Sequence, residues 1–241
     1  MYKINIVYSL SGGVGVSYVA SFLACYGNSL GMDLNYQHPS LIRYDNVTCV
    51  SEEDMVFLNK NEYMMFCKGS LEKVLKGFKN EKSSSYVLDI GNLLVLEFET
   101  IFRSITFLNF LKKSRVEIIF HCVISGNDPS FDKKSILSFR ETLKNYKNSS
   151  LVVWENNFFK KNKSEDIKLW AEDILGRDKV TYKVIEAESG LLYKELREKM
   201  NYKIPISSEK LKEEFDSFTY MRLKKYYRKW EELIGKKEFL F

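Results

Sequence analysis

The stretch Ile4-Asn5-Ile6-Val7-Tyr8-Ser9-Leu10-Ser11-Gly12-Gly13-Val14-Gly15-Val16-Ser17-Tyr18-Val19-Ala20 decides how the chain is read. Ile4 to Tyr8 is a short apolar run that Ser9 ends, the pattern of a buried strand. Three glycines in four positions follow, and then an apolar helix over about Val14 to Tyr26. Strand, glycine-rich turn and helix in this order let successive backbone N–H groups curl around one anion, with the positive end of the helix behind them. Glycine is needed because the curl uses backbone conformations that other residues resist. In the phosphate-binding motif G-x-x-x-x-G-K-[ST], a lysine follows the last glycine and a hydroxyl residue holds Mg²⁺. Here Ser17 keeps the hydroxyl, while Val16 stands at the lysine position, where a neutral branched side chain binds no phosphate oxygen. The glycines read equally as a tight strand-to-helix turn without a ligand.

Working outward, β-branched and aromatic runs recur at Lys3–Tyr8, Tyr86–Asp89, Val116–Ile124, Leu151–Trp154 and Val180–Ile185. Helical patterns at about Leu71–Lys79, Leu94–Lys113, Ser130–Tyr146 and Ser164–Leu175 separate them, which is the βαβ alternation of a mostly parallel sheet flanked by helices. Val116–Ile124 has almost no polar face and reads as a central strand. Short strands are expected at Val47–Val50 and Tyr63–Phe66, around a turn or helix at Glu52–Asn59. Pro205, Ser207 and Ser208 mark a helix start, and the apolar spacing of Leu211, Phe215, Phe218, Met221, Tyr227, Trp230 and Ile234 predicts a long amphipathic helix over residues 206–236. The whole chain, 1–241, reads as a single domain.

The 37 Lys and Arg against 32 Asp and Glu leave a net charge of +5, too little to argue nucleic-acid binding from the total. Most of that excess sits near the end of the sequence, where Lys224, Lys225, Arg228 and Lys229 make a candidate face for DNA or a protein partner; a plain solvated helix face is the competing reading. Cys25, Cys49, Cys67 and Cys122 are widely spaced in apolar runs and suit buried reduced thiols rather than a metal cage or disulfides. His121, inside an apolar strand, reads as a core histidine. With no signal-like start and no long apolar run, the expectation is a cytoplasmic protein without stable membrane insertion.

The glycine loop resembles the deviant Walker A motif of the ParA/MinD-type ATPases. Gly12, Gly13, Gly15 and Ser17 match it, while Ser11 and Val16 replace its two lysines. Asp33-Leu34-Asn35-Tyr36-Gln37 is similar to the family's D-x-D-x-Q segment, with Asn35 at the position of the catalytic aspartate; an amide orients water without accepting its proton. Tyr86–Gly91 resembles the Walker B strand and keeps Asp89. The order of further segments, among them Phe120–Gly126 and Leu151–Asn156, is similar to the conjugal transfer proteins of the TraL type. The resemblance implies a P-loop NTPase-like fold of ParA/MinD type, ATP and Mg²⁺ as cofactors, and a homodimer. It also implies a nucleotide site at Gly12, Gly13, Gly15, Val16, Ser17 and Asn156, with Ser17, Asp33 and Asp89 on the metal side. With the lysines and the catalytic aspartate replaced, the expectation is a pseudo-ATPase, an accessory or scaffolding factor in conjugative DNA transfer or plasmid maintenance. The alternative is an active ATPase completed by a partner's cation or by Arg43, acting in partition or protein positioning.

Overall fold

The computed structural model describes residues 1–26, 29–35, 47–49, 60–80, 82–157, 166–186 and 215–234. Strands β1 (Tyr2–Tyr8), β2 (Leu30–Asp33), β3 (Val47–Cys49), β4 (Ser85–Asp89), β5 (Val116–Ile124), β6 (Ser149–Asn156) and β7 (Val180–Ile185) form one sheet in the order β3-β2-β4-β1-β5-β6-β7. Every pairing is parallel. Parallel neighbours need helical crossovers, and the helices α1 (Val16–Tyr26), α2 (Lys60–Lys79), α3 (Val95–Phe102), α4 (Ile105–Lys113), α5 (Pro129–Leu137), α6 (Arg140–Asn145) and α7 (Ile167–Leu175) supply them. An eighth helix, α8 (Ser217–Ile234), follows β7.

Period-two alternation divides the core into two layers. Ile4, Ile6 and Tyr8 of β1 join Ile118, Phe120 and Cys122 of β5 beneath α2 to α7. Val7, Ile119, Val123, Val152 and Trp154 face the other way, toward α1 and α8. Apart from Glu117, β5 is buried over its whole length, as its sequence predicts for a central strand. Trp230 of α8 stacks on Phe22 of α1 with ring centroids 4.0 Å apart and nearly parallel planes. Cys67 and Cys122 are buried free thiols, as expected, and burial pushes Cys67 up to about 12. The side chains of Cys25 and Cys49 lie outside the described residues.

Several expectations are corrected. Tyr63–Phe66 is not a strand but part of α2. Its aromatic run continues into Cys67, Leu71, Val74 and Phe78, which are spaced three to four residues apart and buried, so the helical period wins. Leu30–Asp33, unanticipated, is a strand. The helix expected over Leu94–Lys113 breaks at Arg103–Ser104, where the Ser104 hydroxyl caps α4 by accepting from the Phe107 amide. That over Ser130–Tyr146 is likewise two helices. The helix expected over residues 206–236 is not continuous. Asp216 caps α8 by accepting from the amides of Phe218 and Thr219, so the helix starts at Ser217. Residues 206–214 and Glu52–Asn59 lie outside the described residues. Phe218 and Met221, expected in the core, are 71% and 55% exposed; the buried stripe is Thr219, Leu223, Tyr226, Trp230 and Ile234. Among the described residues no helix is long and apolar enough to cross a membrane.

Candidate functional site at the carboxyl edge of the sheet

The candidate residues gather where open parallel sheets bind ligands, outside the carboxyl ends of strands whose connections leave in different directions. From β1 the chain turns through Ser9–Gly15 into α1, on one face of the sheet. From β4 it turns through Ile90–Leu94 into α3, on the other.

The glycine loop is held by its neighbours. The Leu10 amide donates to the Ser135 hydroxyl of α5 (3.1 Å), and the Ser11 amide to the Ser9 hydroxyl (3.1 Å). Val14 is buried in the α1 layer. Asn156, at the end of β6, donates from Nδ2 to the Val14 carbonyl (2.9 Å) and is itself buried. Gly15 has φ +101°, and a Cβ there would lie 2.9 Å from Asn156 Nδ2, so this position takes only glycine on two counts. Between these anchors Gly12 and Gly13 form a turn that aims the Val14 amide at the Ser11 carbonyl. The amides of Gly12, Gly13, Gly15, Val16 and Ser17 donate to no protein acceptor among the described residues and are open at the start of an eleven-residue helix. Val16, at the lysine position, packs its side chain against the α1 layer.

The second half of the site comes from β2 and β4. Asp33 and Asp89 are register partners at the ends of these strands, and both are buried. The Leu34 amide donates to the Asp89 carbonyl (2.8 Å), the Asn35 amide to Asp33 Oδ1 (3.0 Å), and the Gly91 amide to Asp89 Oδ1 (3.1 Å). The Asn35 side chain lies over Gly91, 3.2 Å from where a Cβ would stand. Asp89 Oδ2 is buried with no hydrogen-bond partner. Burial pushes the Asp89 carboxyl up to about 7, and the Asp33 carboxylate pushes the same way. The Ser17 hydroxyl and the Gly91 amide only partly offset these two. Ser17, Asp33, Asn35 and Asp89 therefore form one group, with the open amides of the loop beside it.

Two buried carboxylates, a hydroxyl and an unpartnered carboxylate oxygen are hard oxygen donors that fit a divalent cation. The open amides fit an anion. Among the described residues, the charge acting on Asp89 is that of Asp33 and no fixed positive charge is set against it. Among the described residues no cluster of three or more His, Cys, Asp or Glu has the form of a metal site on its own. Arg43 and the Tyr36–Gln37 part of the acidic segment lie outside the described residues.

Other expected residues are elsewhere. Lys224, Lys225, Arg228 and Lys229 are on the exposed side of α8, with the Lys224 ammonium 5.6 Å from the Tyr220 ring centroid. His121 belongs to the core. Its Nδ1 accepts from Trp154 Nε1 (3.1 Å), which leaves Nε2–H to donate to Asn5 Oδ1 (3.2 Å). Burial pushes His121 down to about 3, helped by Lys183. Sequence reading missed Ser135 and Gly91 as loop supports. Nothing marks Ser135 locally, whereas Gly91 directly follows the Asp89 strand. The protein-family models give no match to the chain, and the curated proteins give none either.

Proposed function

We propose that this chain is a degenerate P-loop protein of ParA/MinD type that binds a phosphate-bearing nucleotide weakly, with a divalent cation, and hydrolyses it negligibly. The observation that carries this reading is the set of open amides at Gly12, Gly13, Gly15, Val16 and Ser17 beside the unpartnered Oδ2 of buried Asp89. The amides would take phosphate oxygens, and Ser17, Asp33 and Asp89 would hold Mg²⁺. When bound, the cation supplies the positive charge that Val16 and Ser11 do not. Losing one charged contact to phosphate costs about 2 to 5 kcal/mol, which argues for weak binding. Asn35 orients water without accepting its proton, which argues against turnover. Asn156 acts here through the loop carbonyl it holds; the resemblance would give it the base as well.

On the resemblance to the conjugal transfer group rests the wider reading: an accessory or scaffolding factor in conjugative DNA transfer or plasmid maintenance, able to form a homodimer and working in the cytoplasm, with the exposed cations of α8 toward DNA or a protein. A second reading is an active ATPase completed by a partner's lysine or arginine, since among the described residues no cation acts on Asp89.

The test is thermal unfolding with and without millimolar ATP and Mg²⁺, on wild type and on a Ser11→Lys, Val16→Lys variant, with phosphate release measured in parallel. Ligand at about 100 times its Kd stabilises by roughly 2.7 kcal/mol. A small shift in wild type, a larger one in the variant and no turnover in either are expected. Turnover by the wild-type chain that Asp89→Ala abolishes would sink the pseudo-ATPase reading, and turnover only on adding a partner would establish the second. No shift in either protein would remove nucleotide altogether.

A further inference from the structure

A second surface owes nothing to the glycine loop. Helices α2, α3 and α4 leave between them a groove of about 550 Å³, lined chiefly by Met64, Leu71, Leu75, Ile101, Phe107 and Phe110. On the same three helices Met65, Leu96 and Ile105 are 71, 65 and 73% exposed. The stripe from Met64 to Leu75 runs for three turns of α2, about 16 Å at 1.5 Å per residue.

The polar groups of the groove narrow the choice of occupant. The Thr100 hydroxyl donates to the Leu96 carbonyl and the Ser104 hydroxyl accepts from the Phe107 amide, so both are engaged within their own helices. A small molecule would find few convergent polar groups to orient it. The charged residues that line the groove are Lys68 and Glu72, both on α2. Helical spacing sets Lys76 and Lys79 on the same flank of α2 as Lys68, and none of the three lysines makes an ion pair among the described residues. The acids nearby are Glu72, exposed on that flank, and Glu97, partly buried near Cys67. A second copy docking through the same face would set lysines against lysines.

We propose that this groove docks an amphipathic helix of a partner protein, apolar along the face that enters and acidic along the edge that meets the lysine flank of α2. The length of the stripe sets about three turns of contact, and the lysine flank sets the charge.

The probe is a labelled synthetic peptide of about 16 residues, long enough for those turns, with leucines at i, i+4, i+7 and i+11 and glutamates along one flank. Its twin carries lysine for each glutamate. Fluorescence anisotropy with the full chain should give the acidic peptide roughly tenfold tighter binding at low salt, a gap that narrows as salt rises. Amide exchange should slow over Met64–Leu75 and Ser104–Phe110. Phe110→Glu, at an exposed position that leaves folding intact, should abolish binding, and Lys68→Glu with Lys76→Glu should reverse the preference between the peptides. Equal affinity for both peptides, protection elsewhere, or binding that survives Phe110→Glu overturns the proposal. So does a concentration-dependent dimer in sedimentation that Phe110→Glu dissolves, which would assign the groove to a second copy.

Discussion

Two polar groups lie in one sheet and are built on opposite terms. In the middle of the sheet, Trp154, His121 and Asn5 pass hydrogen bonds across β6, β5 and β1, and Asn5 Nδ2 donates onward to the Ser85 hydroxyl (3.2 Å) and the Tyr86 carbonyl (3.1 Å) of β4. Both nitrogens of the imidazole have partners, and the ring is neutral. At the carboxyl edge, Asp33 and Asp89 are equally buried but repel each other, and one oxygen of Asp89 has no partner. Burial of polar atoms is thus not itself a sign of function. What separates the two is whether the interactions close within the protein, and on the proposed function the open set is where nucleotide and cation would enter.

The largest effect expected from breaking this contrast is at the closed set. His121→Ala should cost about 3 to 5 kcal/mol in urea unfolding, because it opens a cavity and strands both Asn5 and Trp154. Loss of less than about 1 kcal/mol would mean that the chain of hydrogen bonds is not a unit. The open set should respond with the opposite sign: Asp89→Asn keeps an oxygen for the Gly91 amide and removes the repulsion, so it should stabilise the protein at pH 8 by a few kcal/mol.

The pH dependence sharpens the same comparison. Asp89, raised from 3.8 to about 7, holds a proton in the folded state that the unfolded chain releases, so its contribution to stability falls as pH rises through that window. His121, lowered from 6.5 to about 3, stays neutral while the unfolded chain takes up a proton, so its contribution is lost as pH falls below 6.5. The two slopes oppose each other across most of the range between 3.8 and 6.5. Asp89→Asn should therefore make stability fall more steeply than in wild type as acid is added across that range. Mg²⁺ alone should have a smaller effect: at about five times its Kd it should stabilise wild type by about 1 kcal/mol and leave Asp89→Asn unmoved. Smallest of all, Asn156→Ala should cost on the order of 1 kcal/mol and speed amide exchange at Val14 and Gly15.

The opening stretch of the sequence carried much of this architecture. Strand, glycines and helix fall where their pattern predicts, and β4 to β7 lie close to their expected positions because alternation and apolar runs are local signals. Asp33 and Asp89 were legible as a pair only through the resemblance; that they end neighbouring strands with an unpartnered oxygen is a matter of sheet order, which no local pattern encodes. Tyr63–Phe66 misleads because aromatic runs suit strands, until the helical spacing of Cys67, Leu71 and Val74 is followed beyond them. Asp216 could have been read as a cap from its place before Ser217, but the periodicity of Leu211 and Phe215 carried the expectation across it. The exposed Phe218 and Met221 show the cost: spacing identifies a stripe, and the packing partner decides which of two candidate stripes is covered.

The stack of Trp230 on Phe22 joins α8 to the helix that begins at the glycine loop, across about 200 residues of sequence. Such a contact closes a very long loop, and β1 itself pairs with strands some 80 and 115 residues away. Contacts of this span are slow to form, since the entropy of closure comes before any return from packing. In kinetic terms the loop acquires its supporting helix late. Indole emission, reporting Trp230 as it meets Phe22 and lies 5.8 Å from Trp154, would time the moment at which α8 closes over the helix that carries the glycine loop.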